Sequence, residues 1–243
     1  MFFPKTLLNY CLYFSIVNII IYVYHIKMKI IVIDSGFGGK DFINKSKNVN
    51  IKCQLLIPFD NMVSSYDKKF VRNNLLQILY NDFSYKKVVS IIIACHSASS
   101  CILDILIENN FVINNINIFE PITPMCKYIK EKKYKNILIL STPLTEKIRW
   151  HYRLLVSPNR NIKYITFPLL AKQIEDNSNY NNSLARLKKQ KEFIKNCDCV
   201  VLGCTHYNII KDDIMDELVK YNFNGVILDS NEILVKYYDK FIS

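Results

Sequence analysis

VVLGCTHYNII, residues 200–210, reads as a buried β run that breaks at Gly203 and then presents Cys204, Thr205 and His206 in a row. SIIIACHSASS, residues 90–100, repeats the layout: an apolar run, a small residue, then Cys95, His96 and Ser97. A single cysteine after an apolar run is ordinarily packing, because free cysteine is among the most buried residue types. Two matched endings in one chain point instead to a pair of matched chemical groups. Each run is also followed by a helical stretch, and that alternation continues outward in both directions.

Strands are predicted at IIVID (30–34), CQLLIPF (53–59), VVSIIIAC (88–95), INIFEP (116–121), NILILST (136–142), IKYITFP (162–168), CDCVVLGC (197–204) and GVILDS (225–230). Helical spacing of apolar residues predicts helices over 68–83, 97–109, 124–133, 144–155, 183–196 and 208–221, with a closing helix after 230. Strands alternating with helices make an α/β protein with parallel sheets covered on both faces. Ligands in such folds sit at the carboxyl ends of strands. Asp34-Ser35, Cys95, Ser141-Thr142, Cys204 and Asp229-Ser230 all fall there. Three of the five glycines, Gly36, Gly38 and Gly39, follow the first strand. Such a turn can approach a small anion, but the GxxxxGK[ST] and GxGxxG nucleotide patterns do not occur.

With 243 residues, half of them hydrophobic, the chain is long enough for one large or two small domains. The formal charge of +11 comes from lysines scattered through an Ile- and Asn-rich sequence. No basic stripe interleaves with aromatics, so nucleic acid is not an expected partner. The eight cysteines form no pair of CxxC motifs, which argues against structural zinc and fits a reducing compartment. Cys197 and Cys199, two apart on one strand, are expected to share a face. Residues 1–27 stand apart. Thr6–Tyr24 carries no charge, and the apolar stretch 7–24 approaches the roughly 20 residues that span a bilayer. Two readings stand: an extension outside the catalytic fold or a misassigned start ahead of Met28, or a membrane anchor on an otherwise cytoplasmic protein.

If Cys95 and Cys204 end strands in different halves, they can face one another across a cleft. Two opposed acid/bases can remove a proton from one face of a carbon and return one to the other, which a single base cannot. An ordinary thiol titrates near ~8.5, so nearby groups must poise it. Asp34 is the candidate on the Cys95 side and His206 on the Cys204 side. Simpler roles are open to the same residues: Asp34, Ser97 and Thr205 as helix caps, and His206 as a core histidine.

These residues resemble glutamate racemase, of the cofactor-independent aspartate/glutamate racemase superfamily. The resemblance runs in order over about residues 28–243. It rests on DSGFGG (34–39), ACHSAS (94–99), Glu120-Pro121, Thr142 with Thr145, FPLLAKQIE (167–175), GCTHYN (203–208) and LDSN (228–231). It implies two pseudo-symmetric parallel-sheet α/β domains with the active site in the cleft between them. The first is expected to be 28–117 plus 207–243 and the second 118–206. The resemblance implies Cys95 and Cys204 as the catalytic acid/bases, assisted by Asp34, His206 and Glu175. The substrate is expected to be held by Asp34, Ser35, Tyr66, Asp67, His96, Ser97, Thr142, Thr145, Thr205 and His206. No pyridoxal phosphate, metal or other cofactor is implied. The implied reaction interconverts L- and D-glutamate, supplying D-glutamate for peptidoglycan synthesis, and a homodimer is compatible with it.

Three positions depart from the family pattern. His96 stands where the family has Asn, and an imidazole is bulkier than an amide and able to carry charge. The family PYG turn aligns with Ser65-Tyr66-Asp67, which loses the glycine and adds a carboxylate. Asn208 replaces a proline. Two alternatives therefore stay open: a racemase of aspartate or another small acidic amino acid, and a non-catalytic relic of the fold.

Overall fold

The computed structural model describes residues 29–34, 36–46, 53–56, 67–82, 88–110 and 116–242. The apolar segment 1–27 lies outside them, as do Ser35 and Tyr66. Among the described residues, no helix is long and apolar enough to cross a membrane.

The described residues form two four-stranded sheets, all of whose strand pairs are parallel. The first contains β1 (Lys29–Ile33), β2 (Cys53–Leu56), β3 (Val88–Ile93) and β4 (Asn117–Phe119), in the order β2-β1-β3-β4. The second contains β5 (Asn136–Ser141), β6 (Asn161–Thr166), β7 (Cys199–Gly203) and β8 (Val226–Leu228), in the order β6-β5-β7-β8. The two orders are the same, so β3 and β7 hold equivalent places, as do β1 and β5. Runs of Ile, Val and Leu make the central strands, as expected where both faces are covered. In β5 and β7 nearly every residue is buried, whereas the outer strand β6 alternates towards solvent.

The helices of the first unit are α1 (Phe37–Lys45), α2 (Lys68–Gln77), α3 (His96–Glu108) and α4 (Ile122–Glu131). Those that follow are α5 (Pro143–Ile148), α6 (Trp150–Leu155), α7 (Leu170–Glu175), α8 (Asn181–Leu184), α9 (Lys191–Lys195), α10 (Lys211–Val219) and α11 (Ser230–Ile242). The single helix expected over 144–155 is two. Arg149 takes a left-handed conformation (φ 61°) between α5 and α6, with its guanidinium over the rings of Tyr152 and Tyr164. The helix expected over 183–196 is divided into α8, a 3-10 segment at Ala185–Gln190, and α9.

Alternate residues of each strand serve different cores. Ile31, Ile33, Ile91 and Ile93 face a cluster that continues through Ile102, Ile105 and Met125 to Ile137, Ile139 and Val201 of the second sheet. One apolar core therefore crosses the seam between the halves. Each buried Ile contributes about 1.5–3 kcal/mol relative to exposure, so burial rather than any single polar contact holds the halves together. The other face of the second sheet packs Leu138, Leu140, Val200 and Leu202 against Leu170, Ile194 and Ile214. Cys197 belongs to this cluster and Cys199 to the one at the seam. The expected shared face is not found, because Cys197 lies before β7 begins.

The outer face of the first sheet, Ile30, Val32 and Ile92, is covered by Phe42 and by Leu234, Val235 and Tyr238 of α11. The return to the first unit thus comes with α11, not at the expected boundary of 207. The reason is pairing: β8 is hydrogen-bonded to β7, and Ile214 and Leu218 of α10 pack in the second unit's core. Likewise β4 pairs with β3 through Phe119, beyond the expected boundary at 117.

Candidate active site

The strand ends of the two sheets bring the chemistry together. β1 leads into Asp34, whose buried carboxylate accepts from Gly36 N at 2.9 Å. β3 leads into Cys95, which precedes α3 in an extended conformation (φ −65°, ψ 122°). β7 leads into Cys204, also extended (φ −153°, ψ 133°), ahead of a 3-10 turn at Thr205–Asn208. Each thiol residue is 7% exposed. The two equivalent strands therefore deliver two equivalent cysteines.

The seam is closed around them without intervening bulk. The Thr205 hydroxyl donates to Asp34 Oδ2 at 3.3 Å. A Cβ on Gly38 would lie 1.9 Å from Thr205 Oγ1, and one on Gly36 would lie 2.6 Å from Glu175 Oε1 and 2.9 Å from His206 Nε2. The glycine turn thus brings one half into close approach with the other.

Ser97, in the first turn of α3, meets the second half through hydroxyls. Its Oγ lies 2.8 Å from Thr142 Oγ1 and 3.3 Å from Thr145 Oγ1. Thr142 caps α5, accepting from Thr145 N at 3.3 Å. Ser97 and Thr205 are not caps themselves; the capping positions belong to Cys95 and Cys204.

His206 is buried, with Nδ1 3.9 Å from Cys204 Sγ and Nε2 3.9 Å from Glu175 Oε2. Burial pulls its imidazole down to about 4, so it is neutral near pH 7 and its contact with Glu175 is not an ion pair. Burial also raises the Glu175 carboxyl; Asp176 adds to the rise, while Lys172 and Lys40 oppose it. Cys204 departs from the expectation of a poised, lowered thiol. Burial pushes it well up, the neighbouring Cys95 and Asp34 add to this, and the backbone N–H groups of His206 and Tyr207 only partly offset them. The protein's own groups therefore keep Cys204 as a thiol.

His96, expected to touch substrate, is buried with its ring stacked on His151 of α6, centroids 5.3 Å and planes 12° apart. Sequence pattern alone marks His151 as no more than part of a helix. The chain has four histidines, and His96, His151 and His206 are buried; that scarcity was the available signal. Asp67 is exposed and caps α2, accepting from Phe70 N at 2.7 Å. Among the described residues the structure thus gathers Asp34, Cys95, Ser97, Thr142, Thr145, Glu175, Cys204, Thr205 and His206 at the seam, and gives Asp67 a capping role.

No protein-family model matches the chain. Glutamate racemase of Fusobacterium nucleatum is 31% identical over 194 residues, covering 75% of this chain and 71% of that protein. Glutamate racemase of Aliarcobacter butzleri is 30% identical over 200 residues, covering 77% and 74%. The solved structure of glutamate racemase from Aquifex pyrophilus superposes with a TM-score of 0.70 at 26% identity, over 89% of this chain and 84% of that one. With this identity over most of both chains, and with paired parallel sheets delivering two cysteines to one seam, the chain belongs to the glutamate racemase family of isomerases.

Proposed function

We propose that this protein interconverts L- and D-glutamate by proton transfer between Cys95 and Cys204. The observation that carries the reading is the placement of the two thiols after equivalent strands, β3 and β7, each almost buried at one seam. The α-carbon of the substrate sits between them. One cysteine, as thiolate, takes the α-proton, and the other, as thiol, gives its own proton to the opposite face. The two sulfurs exchange protonation states, and the reverse reaction uses them in the opposite roles.

The raised Cys204 fits this scheme when substrate is considered. A glutamate brings an α-ammonium into a site that already holds the Asp34 carboxylate. Its positive charge favours a thiolate beside it, so the base is formed on binding rather than before it, the thiol proton leaving to solvent. Asp34, fixed by Gly36 N and the Thr205 hydroxyl, is directed towards that ammonium or towards the Cys95 side. His206 and Glu175 serve Cys204, and the hydroxyls of Ser97, Thr142 and Thr145 bind carboxylate oxygens. Ser35 and Tyr66 are assigned to the binding shell on the family pattern. The product, D-glutamate, serves peptidoglycan synthesis.

His96 in place of the family amide favours testing a second substrate, aspartate. The full-length protein is placed in deuterated water with each enantiomer of glutamate and of aspartate, without cofactor. Loss of the α-proton is followed by NMR and the products by chiral analysis. Exchange with inversion on glutamate is expected; exchange confined to aspartate moves the specificity. A folded protein that exchanges none of them overturns the reading.

A further inference from the structure

His96 follows Cys95 directly and opens α3 in the first half, while His151 lies on α6 in the second. Their rings are face to face, and both residues are buried. Neither nitrogen of either ring has a hydrogen-bond partner among the described residues. No polar contact there orients the His96 ring; the flat face of His151 does. His151 is itself held from another side, with the Tyr164 ring edge-on at 6.5 Å and its carbonyl 4.0 Å from Cys126 Sγ. We infer that His151 is a positioning residue for the reaction, acting on the Cys95 thiol through the stacked ring of His96.

The inference rests on the two-thiol reading above. Cys95 is tied to α3 by its carbonyl, which accepts from Ser99 N at 2.8 Å. The direction of its side chain therefore follows the first turn of that helix. His96, the first residue of that helix and the direct neighbour of Cys95, is clamped against the opposite half. A stacked pair at this point sets both the docking of the halves and the aim of one sulfur. Cys204 is held differently: its turn is fixed by Thr205 on Asp34 and by the Tyr207 hydroxyl, which donates to Ser141 O at 3.3 Å. Loss of the His151 ring should accordingly disturb one thiol and not the other. A displacement of ~1 Å at a reacting group costs on the order of 10²-fold in rate, so even a partial loss is measurable.

The test uses full-length protein and α-deuterated L- and D-glutamate. Each enantiomer is deprotonated by one of the two cysteines, so its primary isotope effect reports that cysteine alone. The enantiomer served by Cys95 is the one whose α-proton no longer washes out in Cys95→Ser. His151→Leu keeps apolar bulk but removes the flat face. It is expected to lower kcat about tenfold with KM little changed, and to raise the isotope effect on the Cys95 enantiomer only. His151→Phe restores a ring and is expected to return both isotope effects to the wild-type values. His96→Leu breaks the same stack from the other side and is expected to repeat the asymmetry, which keeps the question answerable where His151→Leu does not fold. Equal changes for both enantiomers, or a His151→Phe protein as asymmetric as His151→Leu, overturn the inference. A wild-type protein that exchanges neither enantiomer is a different result, and overturns the two-thiol reading itself.

Discussion

Thr205 of the second half donates its hydroxyl hydrogen bond to Asp34 of the first, 3.3 Å from Oγ1 to Oδ2. The acceptor follows β1 and the donor follows β7, so the bond joins the carboxyl ends of the two sheets where the two cysteines emerge. It is also a bond to a wholly buried carboxylate, a class worth more than neutral pairs. Replacing Thr205 with Val removes this donor while keeping the branched shape. The expected loss is about 1.5–3 kcal/mol of unfolding free energy in urea. Thr205→Ser keeps the hydroxyl and should recover most of it. Equal stability of Val and Ser variants would show that the bond contributes nothing to closure.

Gly38 makes the same closure sterically. An added Cβ would sit 1.9 Å from Thr205 Oγ1 and 2.2 Å from Thr205 Cβ, with Asp34 Oδ2 at 3.2 Å. No rotation of a short β-branched side chain relieves both overlaps. Gly38→Ala is therefore expected to part the halves near the thiols. Racemisation should fall on the order of 10²-fold, since reacting groups displaced by ~1 Å lose about that much. Far-ultraviolet circular dichroism should stay unchanged, because the sheets themselves are not touched. The double variant Gly38→Ala with Thr205→Gly removes both overlapping atoms and should regain activity over Gly38→Ala alone. Failure to regain any would place the damage elsewhere.

The pattern of apolar runs was enough to find all eight strands of the described residues, because parallel strands covered on both faces are written as unbroken Ile, Val and Leu. It was not enough for the return of the chain to the first unit. That depends on whether the three residues of β8 pair with β7 or elsewhere, and their own sequence does not say. Ser97, Thr142 and Thr145 were legible as candidates by resemblance, but their mutual contact across the seam is tertiary. His151 was illegible for the same reason: within its short helix it has no special spacing, and its partner lies 55 positions earlier (151 − 96). For Cys204 the sequence suggests the wrong direction. It shows a histidine two positions away, whereas burial decides the outcome and raises the thiol.

The two thiols themselves give the sharpest mutational contrast. Removal of either leaves a site with one acid/base, able to take a proton from one enantiomer but unable to deliver one to the opposite face. Cys95→Ser and Cys204→Ser are each expected to lose about 10²–10⁴-fold in racemisation, the range for a general acid–base group. Each should still wash out the α-proton of one enantiomer, and not the same one. Mixed-enantiomer turnover retained in either variant would rule out the two-thiol scheme.

The pH range of stability follows from groups that burial keeps uncharged. His96 is held well below the ordinary 6.5, His151 at about 3 and His206 at about 4. In the unfolded chain all three regain ordinary values. Below about pH 6.5 the unfolded state therefore takes up protons that the folded state does not, and stability, full above that pH, falls as pH drops towards the folded values. One such group gives at most about 1.4 kcal/mol per pH unit, so three give a slope of at most about 4 just below pH 6, easing as pH falls towards the value of His206. At the other end burial raises the thiols of Cys101, Cys126, Cys197, Cys199 and Cys204 above their ordinary 9.0, Cys101 and Cys197 to about 12. Unfolded thiols lose protons near that value while the buried ones keep theirs. Their contribution is present below about pH 9 and is lost as pH rises beyond it. Urea unfolding measured from acid to alkaline pH should show a plateau at about pH 7 to 8.5 with a steep limb on each side. His151→Phe takes one titrating group out of the acid limb and should reduce its slope by about a third. An unchanged slope in that variant would overturn the reading that burial keeps His151 neutral in the folded protein.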